Sequence, residues 1–519
     1  ALTAKQAELA ALREAARPEQ ADAVRALADE VDRREAELSR TSVAFRTQAT
    51  PVTVEQVQAA LPDDAALVEF VRYQRFDPKD AADRWKEWRY VAYVLRRAGP
   101  PRWADLGEAA PLEDAVRRWA ELGEAAPLED AVRVASAALA RPAADTRTPL
   151  RDLDTRLLAP VRRVLGSLPK HLLVAPDADL HLVPFGALVD EGGHHLLERA
   201  LVTQLGSGRD LLRLREQTAP RAGPLLVADP AFGPYGPAGS FRPLPATAAE
   251  AEAVHAVFPA LVPQTGLRAT KDVLARTHGP RFVLVATHGL LGRTAALAPA
   301  ASGGRAPAAA SGGQGAKSGA ALASALRSPD GPDPEEALDQ AALAFAGANA
   351  RPDALLTARE LAGVDLYGTK LVVLSACETG LGRIATGEGV YGLRRALTIA
   401  GAESQVTSLW RVDDGSTAQL MGSYFGALRD GVGRSQALRQ AQLGLLKQER
   451  YRHPYYWAAF VASGDWRPLD GRDPPPPVPH GGCICAIVEA RPQSSAPWVL
   501  TLLPLGWLRR RKRSSVSRG

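Results

Sequence analysis

Cysteine is scarce. The 519 residues hold three, and Cys483 and Cys485 sit together near the end of the chain, so Cys377 stands alone in its body and no disulfide framework follows. Metal-ligand spacing is missing as well: there is no HExxH or paired-Cys pattern, and Cys483-x-Cys485 by itself does not make a site, so neither a metal nor a cofactor is expected. No glycine-rich phosphate loop follows an early strand, which ranks a flavodoxin-like nucleotide binder last among the readings of the pattern. A basic excess is also lacking. The formal charge is +5, but Arg509, Arg510, Arg511, Lys512, Arg513 and Arg518 supply six positive charges, and subtracting them leaves −1 for the rest. A nearly neutral body gives no footprint for nucleic acid. The chain starts at Ala1 with no initiator Met and no leader pattern, so a signal peptide or further domains are expected upstream.

What is present is enough apolar sequence, 46% of the chain, to bury one large core or two moderate ones. Residues 1–48 are rich in helix formers, with Val24, Leu27 and Val31 on one face and Pro18 separating two helices. They read either as the end of a helical-repeat region or as a free-standing helical hairpin. Apolar β-rich runs follow at Ala66 to Tyr73 and Tyr90 to Leu95. The segment Leu106 to Arg117 recurs identically at Leu122 to Arg133, a local tandem duplication to which we assign no chemistry. From about Thr148, short apolar runs alternate with helical stretches: Leu172 to Ala175, Leu225 to Ala228, Phe282 to Ala286, Leu371 to Leu374 and Gln405 to Leu409. Such alternation predicts an α/β fold, a mostly parallel sheet flanked by helices, with its chemistry at the carboxyl ends of the strands. Residues 293–334 are rich in Ala, Gly, Ser and Pro and read as a disordered loop inserted within the domain. The run Pro474 to Pro477 closes the domain, and 467–519 form a linker and tail.

Two of the buried-strand runs end in reactive residues. Phe282 to Ala286 leads into Thr287, His288 and Gly289, and Leu371 to Leu374 leads into Ser375, Ala376, Cys377, Glu378, Thr379 and Gly380. If the two strands are neighbours, His288 can accept the proton of Cys377, and the thiolate is the form that attacks a carbonyl. The backbone N–H groups of Gly289 and Cys377 would then face the developing oxyanion. Taken singly, each residue has a plainer reading, the cysteine as an inert core residue and the histidine as a structural one. Asp413 and Asp414, beyond the run Gln405 to Leu409, either line a pocket for a basic side chain or cap the helix that begins ahead of Ser416 and Thr417. Glu378 either polarises the site or caps the next helix. His453, among Tyr455, Tyr456 and Trp457, reads as packing.

These motifs carry a resemblance. Val285-Ala-Thr-His-Gly289 and Val373-Leu-Ser-Ala-Cys-Glu-Thr-Gly-Leu-Gly382 resemble the two catalytic motifs of the CHAT peptidase family, relatives of caspases and separases. Leu180-His-Leu-Val-Pro-Phe-Gly-Ala-Leu188, Gly387-Glu-Gly-Val390, Ser408-Leu-Trp-Arg-Val-Asp-Asp414 and His453-Pro-Tyr-Tyr-Trp-Ala-Ala-Phe460 match in order, so the likeness spans about 65–466. It implies a caspase-like fold preceded by a helical segment. It also implies a cysteine endopeptidase with His288 and Cys377 as its dyad, a protein substrate, and control by an activating partner or by attached helical repeats. The insertion at 293–334 departs from the family pattern; it either gates the cleft or is passive, and it is not placed like the linker that caspases cut. A signalling scaffold with an idle cysteine is the alternative function.

The tail sets Gly482-Cys483, the apolar stretch Ala496 to Leu508 and the cluster Arg509 to Arg513 in an order similar to a myxobacterial C-terminal sorting signal. Its apolar run is about a dozen residues against the ~20 of a spanning helix, and Pro504 interrupts it. A basic amphipathic or disordered tail is the other reading, and it too would favour anionic membrane surfaces. A functioning sorting tail would place the protein at the cell envelope; otherwise it is cytoplasmic.

Overall fold

The computed structural model describes residues 52–80, 84–123, 146–216, 218–235, 241–291, 341–376, 384–385, 389–390, 392–410 and 413–470. The expected helical lead-in at 1–48, the insertion at 293–334 and the tail from 471 onward lie outside the described residues. Among the described residues, no helix is long and apolar enough to cross a membrane.

Helix α1 (Val54–Ala60) starts under a capping box, Thr53 accepting from the Gln56 N–H at 3.3 Å and Gln56 from the Thr53 N–H at 2.9 Å. Two orphan amides are satisfied there without help from the rest of the fold. An antiparallel meander follows: β1 (Ala65–Phe76), β2 (Trp85–Arg96) and β3 (Arg102–Glu108). Then come α2 (Ala109–Gly123), α3 (Arg147–Leu165), β4 (His171–Ala175), β5 (Leu201–Gln204), β6 (Leu225–Pro230), α4 (Pro245–Val257), β7 (Gln264–Gly266) and β8 (Phe282–Thr287). A smaller sheet is made by β9 (Gly289–Leu291), β10 (Ala341–Ala344) and β11 (Leu355–Thr357). The chain continues through α5 (Ala358–Ala362), β12 (Leu371–Ala376), the hairpin β13 (Ile384–Ala385) and β14 (Gly389–Val390), α6 (Leu393–Ala400) and β15 (Ser404–Ser408). It closes with α7 (Asp414–Arg429), α8 (Arg434–Leu446) and β16 (Phe460–Gly464).

Among the described residues, eleven strands form one sheet in the order β3-β2-β1-β4-β5-β16-β15-β12-β8-β6-β7. Seven of its ten neighbouring pairs are parallel, so the expected α/β architecture with a mostly parallel sheet is what forms. The exceptions are instructive. The meander β1-β2-β3 is antiparallel, and β15 meets β16 antiparallel. That last pairing is a seam: β1, β4, β5 and β16 run one way, while β15, β12, β8, β6 and β7 run the other. The sheet therefore has carboxyl ends at both edges.

Why β8 forms is visible in its composition. All six residues are buried, because helices cover both faces of the sheet. Their period of two divides them between two cores: Phe282, Leu284 and Ala286 join Val254 of α4 and Met421, Tyr424 and Phe425 of α7, whereas Val283 and Val285 join Leu361 of α5 and Leu393 and Leu397 of α6. Each large apolar side chain removed from water in this way contributes roughly 1.5–3 kcal/mol before entropy is counted. The tandem duplication gives a different lesson. In its first copy Leu106, Gly107 and Glu108 finish β3, with Gly107 at φ +86°, while Leu122 and Gly123 of the second copy finish α2. Identical residues take strand and helix because tertiary pairing, not local propensity, decides.

Candidate active site

Strands β8 and β12 are hydrogen-bonded parallel neighbours, in register from Leu371 opposite Phe282 to Ala376 opposite Thr287. His288 is the residue after Thr287. Cys377 is the residue after Ala376, and it and Glu378 lie outside the described residues. The pairing thus aligns the two motif strands to their last residues, at the carboxyl edge of this half of the sheet.

The structure fixes His288 through groups that no sequence motif announced. Its Nε2 lies 2.9 Å from the carbonyl oxygen of Arg242. A carbonyl only accepts, so Nε2 carries the proton, and in the neutral ring Nδ1 holds the lone pair. The half-buried ring packs against both Phe232 and Phe241, at centroid distances of 5.1 and 5.7 Å, and those two rings also touch each other at 5.7 Å. Its own carbonyl accepts from the Ala344 N–H at 3.0 Å, and the buried Thr287 hydroxyl donates to the Ala344 carbonyl. Gly289 opens β9 opposite Leu343 of β10, so the small sheet braces the chain on the far side of the imidazole.

Asn349 holds the loop that supplies the Arg242 carbonyl. It accepts from the Phe241 N–H at 3.0 Å and donates to the carbonyls of Phe241 and Gly233 at 2.9 and 3.2 Å. Beneath β12, the Ser375 hydroxyl donates to the Glu250 carboxylate of α4 at 2.8 Å, a buried contact two residues before Cys377. At the carboxyl end of β6, Asp229 adopts φ +47°, a left-handed backbone that a non-glycine residue takes at a cost of about 1–3 kcal/mol and that clusters at functional sites. Its amide donates to the Thr247 hydroxyl at 2.9 Å. The rule that found His288, a polar residue just beyond a buried run, also picks out Asp229 after Leu225 to Ala228. For Arg242 no such signal exists, because its contribution is a backbone carbonyl.

Asp413 is the N-cap of α7. Its carboxylate accepts from the Ser416 N–H at 2.9 Å, and its carbonyl accepts from the Ser416 and Thr417 hydroxyls at 3.1 and 2.7 Å. Asp414 is the first residue of that helix. His453 caps the short 3₁₀ turn Pro454–Tyr456, its Nδ1 accepting from the Tyr455 N–H at 3.2 Å, and Trp457 behind it is buried with its ring edge-on to His195. This segment packs, as its aromatic composition predicts.

The sequence is 33% identical over 110 residues to tetratricopeptide repeat protein 28 of Mus musculus and 32% identical over 110 residues to its Homo sapiens namesake; each match takes in 21% of this chain and only 4% of the relative. Among solved structures, the Saccharomyces cerevisiae separase–securin complex aligns with 81% of this chain and 31% of that one, at 9% identity and a TM-score of 0.43. The Arg-specific cysteine proteinase gingipain R aligns with 69% of this chain and 75% of that one, at 9% identity and a TM-score of 0.34. The sequence model of the CHAT domain matches residues 147–465, well over half of the chain and the whole of the paired strands β8 and β12, and the protein belongs to the CHAT domain family.

Proposed function

We propose that the chain is a cysteine endopeptidase in which Cys377 is the nucleophile and His288 the general base. The observation that carries this reading is the register of β8 and β12, which ends with the residues preceding His288 and Cys377 side by side. The bond from His288 Nε2 to the Arg242 carbonyl adds a second support, since it leaves Nδ1 as the basic nitrogen.

In this mechanism Nδ1 takes the thiol proton and the thiolate sulfur adds to the scissile carbonyl carbon. The oxyanion is met by the backbone N–H groups of Gly289 and Cys377; losing one such donor costs about 3 kcal/mol of transition-state stabilisation. The C–N bond then breaks as the imidazolium returns its proton to the leaving amine, leaving an acyl thioester. Water, deprotonated by Nδ1, hydrolyses the thioester to the new carboxyl terminus and the free thiol. Asp413, Asp414 and Glu378 are the acids this reading offers to a basic substrate side chain. Control by a partner or by attached helical repeats completes it: the two similar mammalian proteins are named for tetratricopeptide repeats, and residues 1–48 carry helical periodicity.

The test is cleavage of a positional library of short peptides by the protein, with Cys377→Ala and His288→Asn alongside. Cleavage that disappears in both variants is expected. If neither cleavage nor labelling of Cys377 by an electrophilic peptide occurs in the folded parent, the scaffold reading replaces this one.

A further inference from the structure

The seam between the two halves of the sheet leaves a cavity of about 560 Å³ at the edge opposite to Thr287 and Ala376. It opens where β4, β5 and β16 end and β15 begins. Gln405 in its wall pairs with Val372 near the start of β12, four residues before Ala376, or roughly 13 Å along the strand at about 3.3 Å per residue. This is the volume of a small-molecule site, commonly ~300–1,000 Å³, and the carboxyl ends of strands are where such sites form in α/β sheets.

The wall is short of polar partners. Among the described residues, both ring nitrogens of His181, Nε of Arg213, Nη1 of Arg394, Oε2 of Glu403, Oε1 of Gln405 and Oγ of Ser463 are buried without a hydrogen bond, and all six residues line this cavity. Glu403 Oε2 and Arg213 Nε still have ion partners, Arg434 at 3.7 Å and Asp210 at 3.5 Å; each of the other atoms costs about 1–3 kcal/mol when nothing satisfies it, and their concentration in one wall suits an occupant.

Charge identifies the occupant's chemistry. Arg394, in the first turn of α6, is 8% exposed, and among the described residues its guanidinium makes one hydrogen bond, from Nη2 to the neutral Gln204 Oε1 at 2.9 Å. Burial lowers it to about 10, and no carboxylate among the described residues pairs with it, so at neutral pH it is a buried cation with no counter-ion among them. Burial and then the adjacent Arg394 charge push His181 well below its usual value, which keeps the imidazole neutral with one N–H to give and one lone pair to fill. The acids of the wall are engaged elsewhere. Glu403 pairs with Lys370 at 2.6 Å, Asp177 accepts the amides of Arg72 and Ala178 at 2.8 Å each, Asp210 accepts the Gly206 amide at 2.7 Å, and Glu69 accepts the Gly208 amide at 3.2 Å. What Arg394 and His181 lack among the described residues is an anion.

We propose that this cavity binds a small molecule through a carboxylate or phosphate group seated on Arg394 and His181, with N–H or O–H donors on its other side meeting Glu403, Gln405 and Ser463. This site is separate from the proposed peptidase centre and does not depend on it. Buried, charge-assisted pairing of this kind is what guanidinium groups supply best.

The test is calorimetric titration of the full chain with inorganic phosphate, ribose 5-phosphate and L-glutamate, together with the melting temperature in each. Saturable binding of ribose 5-phosphate or of L-glutamate is expected, tighter than inorganic phosphate; which of the two binds distinguishes a phosphate ligand from a carboxylate one. Arg394→Gln should weaken that binding by about a hundredfold, the worth of a charge-assisted contact. His181→Leu, which sacrifices no protein hydrogen bond and should fold like the parent, should weaken it by about tenfold. Failure of all three probes to bind the folded parent, or binding that both substitutions leave unchanged, would overturn the proposal and leave a water-filled cavity.

Discussion

Acid should weaken this fold through two histidines that have no room for charge. His171 opens β4, and its Nε2 donates to the Thr203 hydroxyl at 2.9 Å, which in turn donates to Ser435 at 2.8 Å. Burial pushes His171 down to about 3 from a reference of 6.5, and burial with Arg394 pushes His181 well below the same reference. Between those values the unfolded chain takes up protons that the folded chain refuses. Both folded values are depressed, so this stability is fully present above pH 6.5 and is lost as the pH falls below it. The slope is about 1.4 kcal/mol per pH unit for each histidine, hence about 2 kcal/mol apiece between pH 7.5 and 5, and about 4 kcal/mol together. Urea unfolding at pH 7.5, 6 and 5, followed by the fluorescence of the nine tryptophans, measures it. In His181→Leu the acid loss should shrink by about half of that 4 kcal/mol, because leucine has no proton to refuse. The buried carboxyls of Glu69 and Asp154, which burial raises, act in the opposite sense, but they are common to both proteins and cancel in the difference. An acid loss of equal size in the two proteins would refute the reasoning.

Three further outcomes follow from particular contacts. Asn349→Ala removes the three hydrogen bonds that hold the loop carrying the Arg242 carbonyl; kcat of the proposed cleavage should fall by about tenfold or more through misplacement of His288, with KM little changed. Arg434 is 1% exposed and joins Asp465 to the carbonyls of Lys370, Arg467 and Pro468. Burial tends to raise the Asp465 carboxyl, but Arg434 and Arg467 outweigh it and hold it low, so Arg434→Met should cost about 3 kcal/mol or more in urea unfolding. Asp413→Ala should cost about 1 kcal/mol for the lost cap of α7 while Asp413→Asn costs almost nothing; if the carboxylate also binds a basic substrate side chain, Asp413→Asn will abolish cleavage after Arg or Lys with stability intact.

Much of the fold on the His288 side was legible because its strands are short, buried on both faces and uninterrupted: Phe282 to Ala286, Leu371 to Leu374 and Leu225 to Ala228 all become strands of one sheet, and His288 sits at a strand end as expected. In the other half, Ala66 to Tyr73, Tyr90 to Leu95 and Leu172 to Ala175 also become strands, but two strands beside the seam were harder to read. Leu201–Gln204 ends in Thr203 and Gln204, polar residues that are buried because Ser435 and Arg394 satisfy them from far along the chain. A local hydrophobic pattern cannot announce such a strand. Nor can it announce direction: Phe460–Gly464 reads as the end of an aromatic packing motif, yet it pairs antiparallel with β15 and reverses the sheet. Backbone groups escape a sequence reading altogether, which is why the Arg242 carbonyl that fixes the His288 tautomer had no signature.

The reversal at β15 and β16 is also what makes two sites physically compatible in one sheet. Were all the strands parallel, every carboxyl end would open on one edge, and a polar cavity beside the dyad would compete with substrate for the same space. With the seam, the β8 and β12 ends face one edge and the β4, β5 and β16 ends face the other. Helix α6 connects the two, because it follows the segment after Cys377 and carries Arg394 into the cavity wall. A ligand neutralising Arg394 would stabilise the packed position of α6 over β15, where the Arg394 carbonyl already accepts from Gln405 at 3.2 Å. The proposed binding site and the proposed catalytic site are therefore linked through one short stretch of chain, and a substitution in the first is read most directly in binding, before any cleavage is measured.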